Sequence, residues 1–91
     1  MAPKLPLLKR MKENPKADWA INDIETLCRS YSVKISPPTG GGSHYKVYSE
    51  LLEEILTIPS HKPIKPIYIK KLVSFIAMCE QKQRENEEER D

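Results

Sequence analysis

Long apolar runs, cysteines and histidines are scarce in this chain of 91 residues, and each shortage excludes a class of protein. No stretch approaches the ~18 consecutive apolar residues of a membrane-spanning helix, and the basic start lacks the apolar segment of a signal peptide. Cys28 and Cys79 are too few for a disulfide framework, and with His44 and His61 they do not have the spacing of a zinc site. We therefore expect a cytoplasmic protein with no membrane segment, metal ion or cofactor.

Acidic residues are missing from one long stretch, residues 55–79, and this shortage gives the chain an uneven charge distribution. The stretch contains four lysines, Lys62, Lys65, Lys70 and Lys71, although the net charge of the whole chain is only +2. Positive charge without nearby acids suits a surface that faces phosphate groups. The alternative is a solvated helix start, and composition does not decide between the two.

Prolines divide the chain into segments, because they cluster near the front, near the middle and before the last third. Residues 1–17 are predicted to be a basic N-terminal arm that can include a short docking helix. Residues 18–80 are predicted to be the folded domain, and residues 81–91 a charged tail. A chain of this size buries about 60–65% of its unfolded surface, so we expect one hydrophobic core.

The spacing of apolar residues predicts one helix on each side of three strands. Asp18 is the predicted N-cap of the first helix. Turn residues mark the strand ends, and residues 49–53 are the predicted hairpin link. The predicted elements are a helix over 19–31, strands over 33–36, 43–48 and 54–58, and a helix over about 66–80. This order predicts an α+β fold in which two helices pack on one face of a three-stranded antiparallel sheet.

Strand alternation predicts a basic open face on this sheet, opposite the helices. Its predicted members are Lys34, His44, Lys46, Tyr48 and Thr57. Next to it, the run Gly40-Gly41-Gly42 would let backbone approach a phosphate. Lysines can neutralise phosphate, and a histidine can move a proton near neutral pH. The residues alone leave plainer interpretations open, namely a flexible turn and a solvated histidine.

Three short motifs follow one another along these strands and into the last helix. They are Gly42-Ser43-His44-Tyr45-Lys46-Val47-Tyr48, then Leu56-Thr57-Ile58-Pro59, then Ile64-Lys65-Pro66. In this order and spacing they resemble the HicA toxins of bacterial toxin–antitoxin systems, over roughly residues 19–79. The resemblance implies the α-β-β-β-α fold of double-stranded-RNA-binding domains. It also implies an mRNA-cleaving toxin whose active histidine is His44 and which a HicB-type antitoxin neutralises.

The sequence assigns hypothetical roles to individual residues of such a nuclease. His44 is the candidate catalytic residue, acting as base on the 2′-hydroxyl or as acid on the leaving 5′-oxygen. Lys46, and with it Lys34, would stabilise charge at the phosphorus. The other candidate RNA contacts are Gly42, Ser43, Tyr48, Lys62 and Lys65. The second proton carrier stays open between His61 and Tyr48.

Two alternatives to a nuclease are compatible with the same residues. The first is an RNA-binding module without catalysis, which would read RNA by shape. The second is a degenerate toxin that acts mainly by binding a protein partner through its basic face. Shortening of RNA distinguishes a nuclease from a binding module, and competition between RNA and a partner tests the second alternative.

Overall fold

Three helices and three strands make up the described part of the chain, and their order confirms the predicted α+β class. The structure, a computed structural model, describes residues 6–40 and 42–88. The elements are α1 (Leu7–Glu13), α2 (Ile21–Ser30), β1 (Lys34–Ser36), β2 (His44–Ser49), β3 (Leu52–Pro59) and α3 (Pro66–Glu88). From α2 to α3 the order is helix, three strands, helix, as predicted. Residues 1–5 of the predicted arm, Gly41 of the glycine run and residues 89–91 of the predicted tail lie outside the described residues.

The start of α2 differs from the prediction. Asp18 is exposed and does not cap the helix, which begins at Ile21 with Ala20 in the N-cap position. Instead, the backbone N–H of Ala20 donates to Oδ2 of Asp23 at 2.9 Å. A carboxylate that reaches back from the first turn satisfies one of the N–H groups that a helix start leaves free. Asp23 therefore supplies the side-chain hydrogen bond at the start of α2 that was predicted for Asp18.

The last helix is longer than the spacing of its apolar residues predicted. It begins at Pro66, where proline loses no helical hydrogen bond, and continues through the polar segment to Glu88. Glutamate, glutamine, lysine and arginine are good helix formers, and Lys82 lies 3.9 Å from Glu85 one turn away. None of the helices within residues 6–40 and 42–88 is long and apolar enough to cross a membrane.

The sheet is antiparallel, with β2 between β1 and β3. The turn between β2 and β3 is Glu50-Leu51, shorter than the predicted link over 49–53. Val47 pairs with Leu56, but Ser49 pairs with Leu52, so β3 carries extra residues between these two pairs. Such a bulge bends the strand and redirects its side chains.

One hydrophobic core joins the helices to the inner face of the sheet. Cys28 and Cys79 are buried in it as free thiols. Helix α1 packs on α3 and buries Met11 completely. Trp19, in the link between α1 and α2, is 7% exposed. Its indole N–H donates to the carbonyl of Asn14 at 2.8 Å.

Candidate nucleic-acid interface

The two faces of the sheet differ as alternation predicted. Val47, Leu56 and Ile58 are buried under the helices. Five side chains are exposed on the opposite side, here called the open face, and they are Lys34, His44, Lys46, Tyr48 and Thr57. Lys46 lies at the centre of this face, because it pairs with Ser36 on β1 and with Thr57 on β3. Two hydroxyl-bearing residues therefore flank Lys46 on the neighbouring strands.

His44 is the first residue of β2 and stands opposite Pro59 of β3. Its side chain is on the same face as that of Lys46, about 7 Å along the strand. Both residues line a shallow cleft beside the loop that connects β1 to β2, together with Ser36, Pro37, Pro38, Thr39 and Gly42. The cleft has a volume of about 240 Å³, below the ~300 Å³ at which pockets for whole small molecules begin. Its size suits one phosphate of a longer chain.

Gly40 and Gly42 have different parts in the loop above this cleft. Gly40 has a φ of +64°, a conformation that glycine adopts without strain. Gly42 donates its N–H to the carbonyl of Thr39 at 3.3 Å. A Cβ at Gly42 would lie 3.5 Å from that oxygen and 3.6 Å from Cβ of Pro38, which is ordinary contact. The backbone conformation therefore favours glycine at position 40, whereas position 42 has room for a side chain without that strain.

The β2–β3 pairing continues past the strand ends and brings His61 to the His44 end of the sheet. The carbonyl of Ser43 accepts a hydrogen bond from the N–H of Ser60 at 2.8 Å. Ser43 precedes His44, so alternation turns its side chain to the opposite side. His61 follows Ser60 and is exposed. Of the predicted contacts, Ser43 thus supplies backbone structure rather than a side chain on the open face.

Lys62 and Lys65 are exposed in the loop that leaves β3 at this same end. Between them Ile64 is buried, and its N–H donates to the carbonyl of Trp19 at 2.8 Å. This anchor holds the loop against the core while the two lysines face solvent. Their charges therefore lie at the His44 end of the sheet, where a nucleic-acid backbone crossing the cleft would leave it.

Lys34 and Tyr48 lie at the other end of the open face. They pair with each other across β1 and β2, and Lys34 Nζ is 3.2 Å from Oε1 of Glu50. Tyr48 is four residues from His44, about 13–14 Å along an extended strand. One phosphate cannot contact both His44 and Tyr48 at that separation. The structure therefore does not bring Lys34 and Tyr48 together with His44.

Ser36 and Thr39 were not singled out by the sequence, although both line the cleft. Ser36 comes two residues after Lys34, so alternation from Lys34 already places it on the open face. Thr39 had no comparable pattern, since its position depends on the turn at Gly40. In the described part of the chain, no three His, Cys, Asp or Glu side chains form a group that could hold a metal ion.

Comparison of the chain with models of known families, with curated proteins and with solved structures finds no match. The functional interpretation of the cleft therefore depends on the residues that line it and on the three motifs in the sequence.

Proposed function

We propose that this chain is an endoribonuclease that cleaves mRNA without a metal ion, as the toxin of a HicA-type toxin–antitoxin pair. The observation that carries the proposal is the position of His44 beside Lys46, both exposed on one face and both lining a phosphate-sized cleft. RNA cleavage through the 2′-hydroxyl is assisted both by a proton carrier and by a fixed positive charge near the phosphate. The three sequence motifs support the family assignment.

In the proposed reaction, His44 takes the proton of a ribose 2′-hydroxyl as general base. The 2′-oxygen then attacks the adjacent phosphorus, and the bond to the 5′-oxygen of the next nucleotide breaks. The products are a 2′,3′-cyclic phosphate and a 5′-hydroxyl, with Lys46 neutralising the charge that develops on the phosphate oxygens. A positioned histidine contributes typically ~10²–10⁴-fold to such a step.

The leaving 5′-oxygen needs a proton from a second group, and the geometry favours His61 over Tyr48. His61 follows Ser60, whose backbone is tied to Ser43 next to His44. Tyr48 is too far along β2 to act on the phosphate that His44 reaches. His61 is therefore the candidate acid, although His44 can also return the proton it has taken.

A HicB-type antitoxin would inhibit this site by covering the open face. Lys46, Lys62 and Lys65 supply positive charge around the cleft that an acidic partner can neutralise. RNA and the antitoxin would then compete for the same surface. Simultaneous binding of both at full affinity would show that the antitoxin binds elsewhere.

The test of the proposed activity is incubation of the purified chain with end-labelled single-stranded RNA in EDTA. The parent protein should shorten the RNA, whereas His44→Ala should not, and Lys12→Ala on the exposed side of α1 should cut like the parent. Thermal unfolding of each variant controls for folding, because an exposed strand residue seldom changes stability by more than ~0.5 kcal/mol. A folded His44→Ala protein that cuts at the parent rate would refute the assignment.

A non-catalytic RNA-binding module is the second candidate, and one observation favours it. Within the described residues, no side chain donates to or accepts from the imidazole of His44, whereas catalytic histidines are commonly oriented by a second group. A binding module would retard RNA in a gel and leave its length unchanged. Retardation without shortening, by the parent and by His44→Ala alike, would establish this candidate instead.

A further inference from the structure

An exposed groove of mixed polarity runs between the outer edge of β3 and helix α3, away from the cleft at His44. Ile55 of β3 and Ile67 and Met78 of α3 line it, with exposed fractions of 60%, 55% and 48%. They are three of the four large apolar side chains that are exposed in the described residues. Single exposed apolar residues are ordinary, but a cluster beside a regular element is typical of an interaction site.

The strand edge that borders the groove is open to pairing. β3 has eight residues, and within the described chain no strand lies on its outer side. The N–H of Ser60 points to β2, so by alternation the N–H of Thr57 points outward. Pro59 has no N–H to donate to an added strand, but as the last residue of β3 it blocks pairing only at the end of the edge. The middle of β3 therefore offers backbone donors and acceptors next to an apolar surface.

The groove has two lysines on its helix side, whereas Glu54 lines it on the strand side. Ile67, Lys70, Lys71 and Met78 follow one another at helical spacing and form a single stripe on α3. Over about 16 Å of the helix, the stripe is apolar at Ile67, basic at Lys70 and Lys71, and apolar again at Met78. If two copies met stripe to stripe, Lys70 and Lys71 of one would face Lys70 and Lys71 of the other. Like charges at close range disfavour that arrangement, so an acidic occupant fits the helix side of the groove better.

We propose that this groove binds an extended segment of a partner protein with the pattern apolar-x-acidic-x-apolar, which adds to β3 as a fourth strand. In an extended segment, alternate side chains share one face and repeat every ~6.8 Å, so three of them cover most of the stripe on α3. The outer two contact Ile67 and Met78, and the acidic one lies between Lys70 and Lys71. The inference goes beyond RNA cleavage, because the groove lies outside β3 and the cleft lies between β1 and β2.

The test is a selection of random dodecapeptides displayed on phage against the full-length protein. We expect enriched peptides to carry the apolar-x-acidic-x-apolar pattern. A synthetic peptide of the enriched sequence should lose at least about tenfold in affinity on Met78→Lys and on the double variant Lys70→Glu/Lys71→Glu. The double variant Lys9→Glu/Lys12→Glu on α1 makes the same charge change elsewhere and should bind like the parent. His44→Ala should also bind like the parent, whether or not the chain cuts RNA.

Amide hydrogen exchange in the peptide complex tests the strand addition itself. Binding should slow exchange at Thr57, whose N–H faces the added strand. Any of four results would overturn the proposal: no enrichment, enriched peptides without an acidic residue, equal affinity for the groove variants, or unchanged exchange at Thr57. A dimer in sedimentation analysis that Met78→Lys dissociates would also overturn it, since the occupant would then be a second copy.

Discussion

At the scale of single residues, the open face separates side chains that hold the fold together from side chains that are free for chemistry. His44, Lys46 and Tyr48 are exposed, whereas Val47, which lies between Lys46 and Tyr48, is fully buried. Alternation along β2 was enough to predict this division, because an antiparallel strand with one covered face has only two environments. The candidate site is therefore largely visible in the sequence.

The two described glycines of the loop should respond differently to alanine. Gly40→Ala should lower the free energy of unfolding by about 1–2 kcal/mol, because its φ of +64° is strained for a residue with a Cβ. Gly42→Ala should leave stability unchanged or slightly raised, since its Cβ meets only ordinary contacts. Urea unfolding of both variants measures the difference. Equal losses would contradict the division of roles between the two glycines.

The tertiary contacts of Trp19 could not be predicted from the sequence. Its indole lies 5.6 Å from the guanidinium of Arg10, and its carbonyl accepts the N–H of Ile64. These contacts join α1 to the loop before α3. The sequence places Trp19 at the start of a helix, and only the tertiary structure reveals that it joins α1 to the loop before α3.

At the scale of elements, helix α1 is stable because it packs, since seven residues are too few for an isolated helix. Met11 is its fully buried residue. Met11→Ala should lower the free energy of unfolding by about 2–5 kcal/mol, through lost burial and the cavity left behind. Exposed Lys12→Ala on the same helix serves as the control and should change it by less than ~0.5 kcal/mol. Chemical unfolding with one cooperative transition measures both, and a loss for Met11→Ala no larger than for the control would show that α1 is not part of the core.

The buried face of α2 gives a pH prediction through Cys28. Burial raises the pKa of this thiol from 9.0 to about 11, with smaller contributions from Cys79 and Glu25. The folded chain thus holds the thiol proton more tightly than the unfolded chain does. The resulting stability is complete below about pH 9 and is lost as the pH rises toward 11.

Comparison of the parent with Cys28→Ala measures this effect. The difference in unfolding free energy between the two proteins should shrink as the pH rises through that window, because only the parent loses the contribution of the neutral thiol. Iodoacetamide should also leave Cys28 unmodified in the native protein and alkylate it after unfolding. A difference that is constant with pH would contradict the raised pKa.

A periodic apolar pattern located α2 to within two residues at each end, as 19–31 against the observed Ile21–Ser30. Element boundaries did not follow from the sequence where other forces decide. The polar end of α3 is helical by propensity and local ion pairing, which no apolar stripe marks. The bulge in β3 likewise has no signal in the sequence, because Leu52 and Leu56 share a face by plain alternation with or without the extra residues between them.

At the scale of the whole molecule, positive charge is concentrated at the end of the sheet where His44 lies. Lys62 and Lys65 are anchored there by the buried Ile64. Each of Lys62→Gln and Lys65→Gln should weaken RNA binding and reduce the slope of log affinity against log salt by about 0.7. Cleavage at saturating RNA should change little, because backbone contacts position the chain and do not move protons. Lys9→Gln on α1 is the matched control, and an equal effect at that position would mean that binding follows net charge alone.

The claim that His44 uses the ribose 2′-hydroxyl is tested most directly by one pair of substrates. The cleavage site is first mapped on a labelled RNA in EDTA, and the same RNA is then prepared with a single 2′-deoxynucleotide at that site. The account predicts that the parent protein cuts the all-ribose strand, leaves a 2′,3′-cyclic phosphate, and does not cut the substituted strand at that position. Cutting of both strands at the mapped site, or of neither strand at any concentration that binds RNA, would contradict it.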